Sequence, residues 1–470
     1  MGKRHPSSEP RRKRTAPPGS RSDAALVELN IEKLVQGGDG LARPDDSPVV
    51  LVAGSAPGDR VSCRTWKEGR RLLRGEIVEL LSPGPGRRSV PCVHAAACGG
   101  CQWLHLTEET QLTAVDDLLA EALRRLGGLD PTDIERPSCR QVSDGTGYRQ
   151  RARFQLDLRT PALGFAGHRS HRVVDLERCL VLEPELDTLR GAVRDRLPEL
   201  STLLEPLGRA ELRVDLPRSD AAAVMLDLGT VAGDEPNENR RAAALDLLRE
   251  LPPVATASLS DRNRPVMQHG QAIEFRRGPT HDREAHVGFH APGIFLQPSR
   301  AGAAALVAEV LEQLDVIAAG RSLDVLELHC GTGGFTLPLA AAGHRVTAVE
   351  SQVPATQLLE RAATEASLPV EVLADSDLSQ LRRLIEDGRR FDLVVLDPPR
   401  GGAAKACELL PALRPEAVIH VSCDAATLAR DAKALSAAGL VPRRAQPFLL
   451  FPQTAHFETV TTYEAQASCI

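Results

Sequence analysis

The stretch LDVLELHCGTGGFTLPLA, residues 323–340, runs from an apolar strand through a glycine-rich turn into a helix. Glycines 331, 333 and 334 let the backbone turn sharply beneath a ligand. Ahead of it lies a helical pattern with Leu306, Val307, Val310, Leu311, Leu314 and Ile317 on one face. Behind it come further apolar runs, HRVTAV (344–349), DLVVLD (392–397) and AVIHVS (417–422), separated by helical stretches. Continuous apolar strands alternating with helices predict a parallel sheet covered on both faces, and such sheets bind ligands beyond the carboxyl ends of their strands.

The strand after the glycine turn ends in Glu350, placed to accept ribose hydroxyls, so the turn reads as a nucleoside site. A nicotinamide cofactor is conceivable, but S-adenosylmethionine fits better. Its sulfonium and amino groups are cationic, and Glu327, Asp377 and Asp397 all stand at or shortly after apolar strands. In LDPPRGGA (396–403) the paired prolines hold an extended backbone behind Asp397. Taken alone, that motif would suit an amino-group methyltransferase. AVIHVSCDAATLARD (417–431) then puts Cys423 at the end of a strand and the start of a helix, where the helix N-terminus is expected to lower its pKa and make it a nucleophile; the alternative is a buried apolar cysteine. FLLFPQTAHFETVTTYE (448–464) carries His456 just before and Glu458 within a last strand, on one side of it by alternation, with Glu458 available as a base.

The chain has 470 residues, 42% apolar and 26% charged, too long for one domain and too apolar for disorder. No apolar run is long enough to span a membrane and the amino terminus lacks a secretory pattern, so a cytosolic protein is expected. Residues 1–22 carry seven basic side chains against Glu9, a tail expected to be disordered and leaving the acidic excess to the rest of the chain. Between Ala24 and Leu81 short strand-like runs alternate with Gly, Pro and Asp turns. They suggest a small barrel, and GGDGLARPDDSPVVLVAGSAPGDRV (37–61) looks like the TRAM module, an OB-like barrel found on RNA-modifying enzymes. Only Trp66 offers it an aromatic platform.

Ten cysteines in a cytosolic chain point to metal ligation or catalysis rather than disulfides. Cys92, Cys98 and Cys101 are clustered in PCVHAAACGGCQWLH (91–105), and Cys179 in ERCLVLEP is a fourth candidate. Four thiolates suit an iron-sulfur cluster or zinc, and Gly99-Gly100, by allowing close backbone approach, favours the bulkier cluster. Such a cluster would serve equally as a structural staple. LTEETQLTAVDDLLAEALRRLG (106–127) is an amphipathic helical stretch, and residues 181–290 mix both patterns.

Taken together, CGGCQWLH, GYRQRARF, CGTGGFTLPLA, LDPPRGGA, VSCDAATLARD and FPQTAHFE, in this order, resemble the RNA uracil-5-methyltransferase family, of the type that modifies 23S ribosomal RNA. The resemblance covers residues 24–470. It implies a disordered tail (1–22), an OB-like TRAM β-barrel (23–82), a central α+β iron-sulfur domain (83–290) and a Rossmann-like class I methyltransferase domain (291–470), in a monomeric RNA-binding enzyme. It also implies a [4Fe-4S] cluster on Cys92, Cys98, Cys101 and Cys179, with zinc as runner-up; S-adenosylmethionine held by Gln297, His329, Gly334, Glu350, Asp377 and Asp397; Cys423 as nucleophile; and Glu458 as base. Ribosomal RNA is favoured over the tRNA T-loop. An inert RNA-binding factor on the same scaffold would have no need of Cys423 and Glu458. The chain departs from the family at Asp424-Ala425, usually Asn-Pro; at His329, usually aromatic; at Gly334, usually Asn; and in FLQPSR, which lacks the usual Asn. An acid at 424 is expected to oppose thiolate formation at Cys423 unless a cation offsets it.

Overall fold

The apolar runs pair into an eight-stranded sheet in a computed structural model of the chain, which describes residues 25–45, 47–68, 71–229, 236–261, 264–277 and 286–466. The basic tail, 1–22, lies outside the described residues. The strand order is Val370–Ala374, Arg345–Glu350, Asp324–Leu328, Leu393–Leu396, Ala417–Ser422, Glu458–Ala465, Leu440–Leu449 and Arg140–Gln141. The first five are parallel neighbours. Glu458–Ala465 enters antiparallel to both of its neighbours. Strand order reverses between Asp324–Leu328 and Leu393–Leu396, which opens a crevice where the first glycine turn leaves the sheet.

Both faces are buried, as the unbroken apolar runs require. Val325, Val395 and Ile419 join one apolar cluster, while their chain neighbours Leu326, Val394 and Val418 join another on the opposite face. Burying each such side chain stabilises the sheet by about 1.5–3 kcal/mol. The helix Arg300–Ala318 starts where Ser299 accepts a hydrogen bond from the Gly302 amide. It lays Leu306, Val310, Leu311 and Leu314 into the first cluster, with Val307 and Ile317 packed at its margin.

The antiparallel-rich part of the chain forms a seven-stranded sheet in the order Val173–Asp175, Ala162–Ala166, Arg151–Asp157, Arg209–Arg218, Ala221–Asp227, Val254–Asp261 and Arg264–His269. Three helices, Pro184–Asp195, Leu197–Leu204 and Glu238–Arg249, bury Leu189, Leu200 and Leu245 in its core. Residues 88–470 form one compact unit. The described residues from 25 to 87 form another, in which a six-stranded sheet surrounds Leu29, Ile31, Val50, Val52, Val61 and Cys63. There the buried Asp59 gathers the amides of Ala56 and Gly84 and the guanidinium of Arg87.

The short edge strand Arg140–Gln141 is drawn to the large sheet by a buried carboxylate. Glu309, fully enclosed, faces Arg140 at 3.0 Å and Arg444 at 3.2 Å. Replacing it with alanine leaves two guanidinium groups without their shared partner. Glu309→Ala should therefore lower the unfolding free energy by about 3 kcal/mol, the low end for a broken buried pair because Arg140 is half-exposed. Urea unfolding followed by circular dichroism measures this, and an unchanged midpoint would rule it out.

Candidate active site

The sheet register decides which side chains meet at its carboxyl rim. Leu328 pairs with Leu396, so the next residues, His329 and Asp397, leave neighbouring strands side by side. Ser422 pairs with Thr459 in the antiparallel ladder, and one step further brings Cys423 and Glu458 to adjoining strand ends. Because its strand is reversed, Glu458 at the amino end stands at the same rim as the carboxyl ends of the others. His456 lies just before this strand, as expected, but is exposed, whereas Glu458 is buried; alternation therefore does not carry across to put the two in one environment.

A cavity of about 360 Å³ opens at this rim, lined among others by Gln297, His329, Gly334 and Asp397 together with Glu327 and Phe295. Two other predicted contacts, Glu350 and Asp377, are not among the lining residues but touch two of them, Gly331 and His329. Glu350 accepts hydrogen bonds from the amides of Gly331, at 3.2 Å, and Gln352, at 2.8 Å. Asp377 lies 3.5 Å from the His329 imidazole, whose pKa is lowered by burial against the opposing pull of Asp377 and Glu350. Gly331 and Gly333 adopt left-handed φ angles of 56° and 84°, and a β-carbon on Gly333 would fall 2.5 Å from Leu359. Gly334 adopts no such angle, so its place in the turn is not a backbone requirement. Glu327 is buried and accepts a 2.6 Å hydrogen bond from Thr336, which ties the strand to the helix after the turn.

Cys423 differs electrostatically from the expectation. Burial raises its pKa to about 11, with Glu458 and Asp397 adding to the rise and Arg400 opposing it. The helix Ala425–Ala437 does not counter this, because Asp424 caps it: its carboxylate accepts the amides of Ala426 and Thr427 at 2.9 Å each and occupies the positive end of the helix. Burial, Asp397 and, in opposition, Arg400 also act on Glu458, whose carboxyl is held well above the usual range. Burial alone raises Asp397 to about 7. Four groups of three chemical kinds, a thiol, two carboxyls and one guanidinium, thus share one field. Arg400 was not singled out from the sequence, although its place in LDPPRGGA beside Asp397 was a usable sign. The loop that carries it is pinned where Asp431 accepts the Ala403 amide at 2.8 Å. Phe295, 56% exposed with the Arg151 guanidinium 5.0 Å from its ring, and Gln150, which donates to the Gln297 carbonyl at 2.7 Å, were also not anticipated.

The four cysteines named from the sequence come into mutual range. Burial raises Cys101 to about 12, with Cys179, Cys98 and Cys92 adding repulsion and Arg149 opposing it; Cys98 and Cys179 are raised as well, chiefly by burial. The glycine pair does allow close approach: a β-carbon on Gly99 would lie 3.1 Å from the Ala166 carbonyl, and one on Gly100 3.5 Å from Cys98 Sγ. Among the described residues, no three His, Cys, Asp or Glu side chains are gathered tightly enough for a single ion.

Residues 279–465 match the model of the tRNA (uracil-5-)-methyltransferase family. The chain is 32% identical to the 23S rRNA (uracil(1939)-C(5))-methyltransferase RlmD of Chromohalobacter salexigens, over 98% of this chain and 94% of that protein. It is 33% identical to the RlmD of Halomonas elongata, over 93% of this chain and 89% of that protein. The crystal structure of Pyrococcus abyssi tRNA (uracil-54, C5)-methyltransferase in complex with S-adenosyl-L-homocysteine shares the fold, with a TM-score of 0.65 at 22% identity over 93% of this chain and 100% of that one. A doubly wound sheet with a cavity at its switch point, a thiol and a buried carboxyl on adjoining strand ends, and nearly full-length identity above 30% lead to one assignment: the chain belongs to the RNA uracil-C5 methyltransferase family.

Proposed function

We propose that this protein methylates C5 of a uridine in 23S ribosomal RNA with S-adenosylmethionine as donor. The observation that carries the reading is the meeting of Cys423 and Glu458 at adjoining strand ends on the rim that holds the cavity. The RNA preference follows the names of the relatives matched over nearly the whole chain. The amino-terminal six-stranded unit, read as a TRAM module, and a flipped-out uridine complete the picture, since a stacked base cannot be reached on both faces.

S-adenosylmethionine supplies an electrophilic methyl group on a cationic sulfonium. Gln297, His329, Gly334, Glu350, Asp377 and Asp397 would hold it; four of them line the cavity, and Glu350 and Asp377 touch its lining at Gly331 and His329. Cys423 would add to C6 of the uracil as its thiolate, and the electron pair freed at C5 would take the donor's methyl group as the methyl–sulfur bond breaks and S-adenosylhomocysteine leaves. Glu458 then takes the proton from C5, the C6–S bond breaks, and the thiolate is restored. Glu458 serves as base in its ionised form: burial strengthens its proton affinity, and Arg400 favours the carboxylate against that burial. Arg400 is the nearby cation that opposes the burial of the thiolate.

Cys92, Cys98, Cys101 and Cys179 would hold a [4Fe-4S] cluster that staples residues 92–101 to the segment around Cys179. Cys179, Cys98 and Cys92 all act electrostatically on Cys101, and four such thiols beside the closely approached Gly99-Gly100 are the donor set that such a cluster takes.

With unmodified 23S rRNA and methyl-labelled donor, the protein should place label at C5 of one uridine. RNA carrying 5-fluorouridine should be trapped as an SDS-stable adduct that Cys423→Ala abolishes, and no label in rRNA would remove the reading; label in tRNA alone would redirect it. In the free protein, peptide-resolved alkylation of Cys423 by iodoacetamide should quicken about tenfold per pH unit up to about 11, because its thiolate fraction is still rising there, and Arg400→Gln should slow it. A plateau near pH 8 would contradict this. Anaerobically purified protein should contain about four irons and four sulfides per chain, lost in Cys101→Ser; stoichiometric zinc without sulfide would refute the cluster.

A further inference from the structure

Between the last two strands in sequence, Leu440–Leu449 and Glu458–Ala465, the chain makes an eight-residue turn, 450–457, that is buried except at His456. Its central residue, Gln453, has a left-handed φ of 72°, a conformation that costs a non-glycine residue energy and persists only where the surroundings enforce it. Here every polar atom of the residue is engaged. Its amide donates to Gln111 Oε1 at 2.8 Å and its carbonyl accepts from the Trp103 amide at 2.9 Å. Its side-chain oxygen accepts from Arg88 at 2.6 Å and from Gln111 at 3.0 Å, and its side-chain nitrogen donates to the Gly145 carbonyl at 3.3 Å.

The flanking residues are held as well. Tyr148 donates to the Pro452 carbonyl at 2.9 Å, and the Ala455 amide donates to Gln102 Oε1 at 3.5 Å. Gln102 is itself anchored by a 2.9 Å bond to the Gly99 carbonyl. Gln102 and Trp103 belong to the segment that contains Cys98 and Cys101, and Gln111 to the helix that follows it, Glu108–Ala122, while Arg88, Gly145 and Tyr148 come from either side of these. None of them touches the large cavity. The turn they hold leads directly into Glu458.

We infer that Gln453 is a positioning residue for the base: through it, the cysteine-bearing segment 98–103 and Gln111 set where the strand carrying Glu458 begins, and hence whether its carboxyl reaches the proton on C5. This rests on the covalent reading proposed above and deepens it. A displaced base leaves addition and methyl transfer intact and blocks the steps after them. The methylated base would then stay bonded to Cys423.

The test uses the full-length protein, unmodified RNA and methyl-labelled donor in a single turnover. Gln453→Ala should release product roughly 10- to 100-fold more slowly while a labelled, SDS-stable protein–RNA adduct accumulates, with affinity for S-adenosylmethionine unchanged. Gln453→Asn, which keeps an amide and tolerates the left-handed angle, should recover part of the rate. If Gln453→Ala does not bind the donor and is thus misfolded, Gln111→Ala, which removes two of the same bonds from outside the turn, should show the same adduct. Release at the wild-type rate from a donor-binding variant, or a slowdown without adduct, overturns the inference. Failure of the wild-type protein to trap 5-fluorouridine RNA would instead defeat the covalent reading itself, so the two failures are distinguishable.

Discussion

Reversal of one strand is the constraint on which this site depends. A parallel sheet collects the carboxyl ends of its strands at one rim, and His329, Asp397 and Cys423 reach that rim in the ordinary way. Glu458 opens its strand and would lie at the far edge if that strand ran parallel. Insertion antiparallel between Ala417–Ser422 and Leu440–Leu449 turns it round. The proposed nucleophile and the proposed base then become neighbours through backbone hydrogen bonds, which are far stiffer than any long side chain.

Electrostatics follow from that enclosure. Thiol, carboxyl and carboxyl are brought together in a low-dielectric pocket, and each is pushed toward its uncharged form. A site so loaded with acids favours a cationic ligand, which would return Asp397 to its ionised state. The family departure at Asp424 also finds an explanation. Its carboxylate serves the helix as a cap, a role that asparagine fills equally well, and it satisfies two amides that would otherwise be orphaned. The consequence is that the helix N-terminus is already occupied and Arg400 is the cation left to act on Cys423.

The cysteine-bearing segment has a mechanical place in this arrangement. It lies in the same compact unit as the large sheet, and it touches that sheet through the turn that precedes Glu458. Further along, Arg140–Gln141 extends the sheet itself, and the carboxylate of Glu309 binds that edge to the helix Arg300–Ala318. The amino-terminal part of the unit is thus a foundation for the strands that carry Cys423 and Glu458.

Much was legible from local pattern alone. Unbroken apolar runs announce strands buried on both faces, glycines 331 and 333 mark a turn that requires left-handed backbone, and the one-sided apolar pattern of residues 306–317 gives the helix before them. These signals are local, because side-chain spacing and φ preference are properties of neighbours in sequence. Which strand lies beside which, and in which direction, depends on hydrogen bonds between distant segments. Tertiary structure alone therefore set Glu458 against Cys423, raised the thiol that its helix was expected to lower, brought Arg400 into their field, and set Glu350 and Asp377 against the lining residues Gly331 and His329. The physical reason is the same in each case: burial and charge proximity are sums over everything that folding gathers, and no stretch of chain carries that sum by itself.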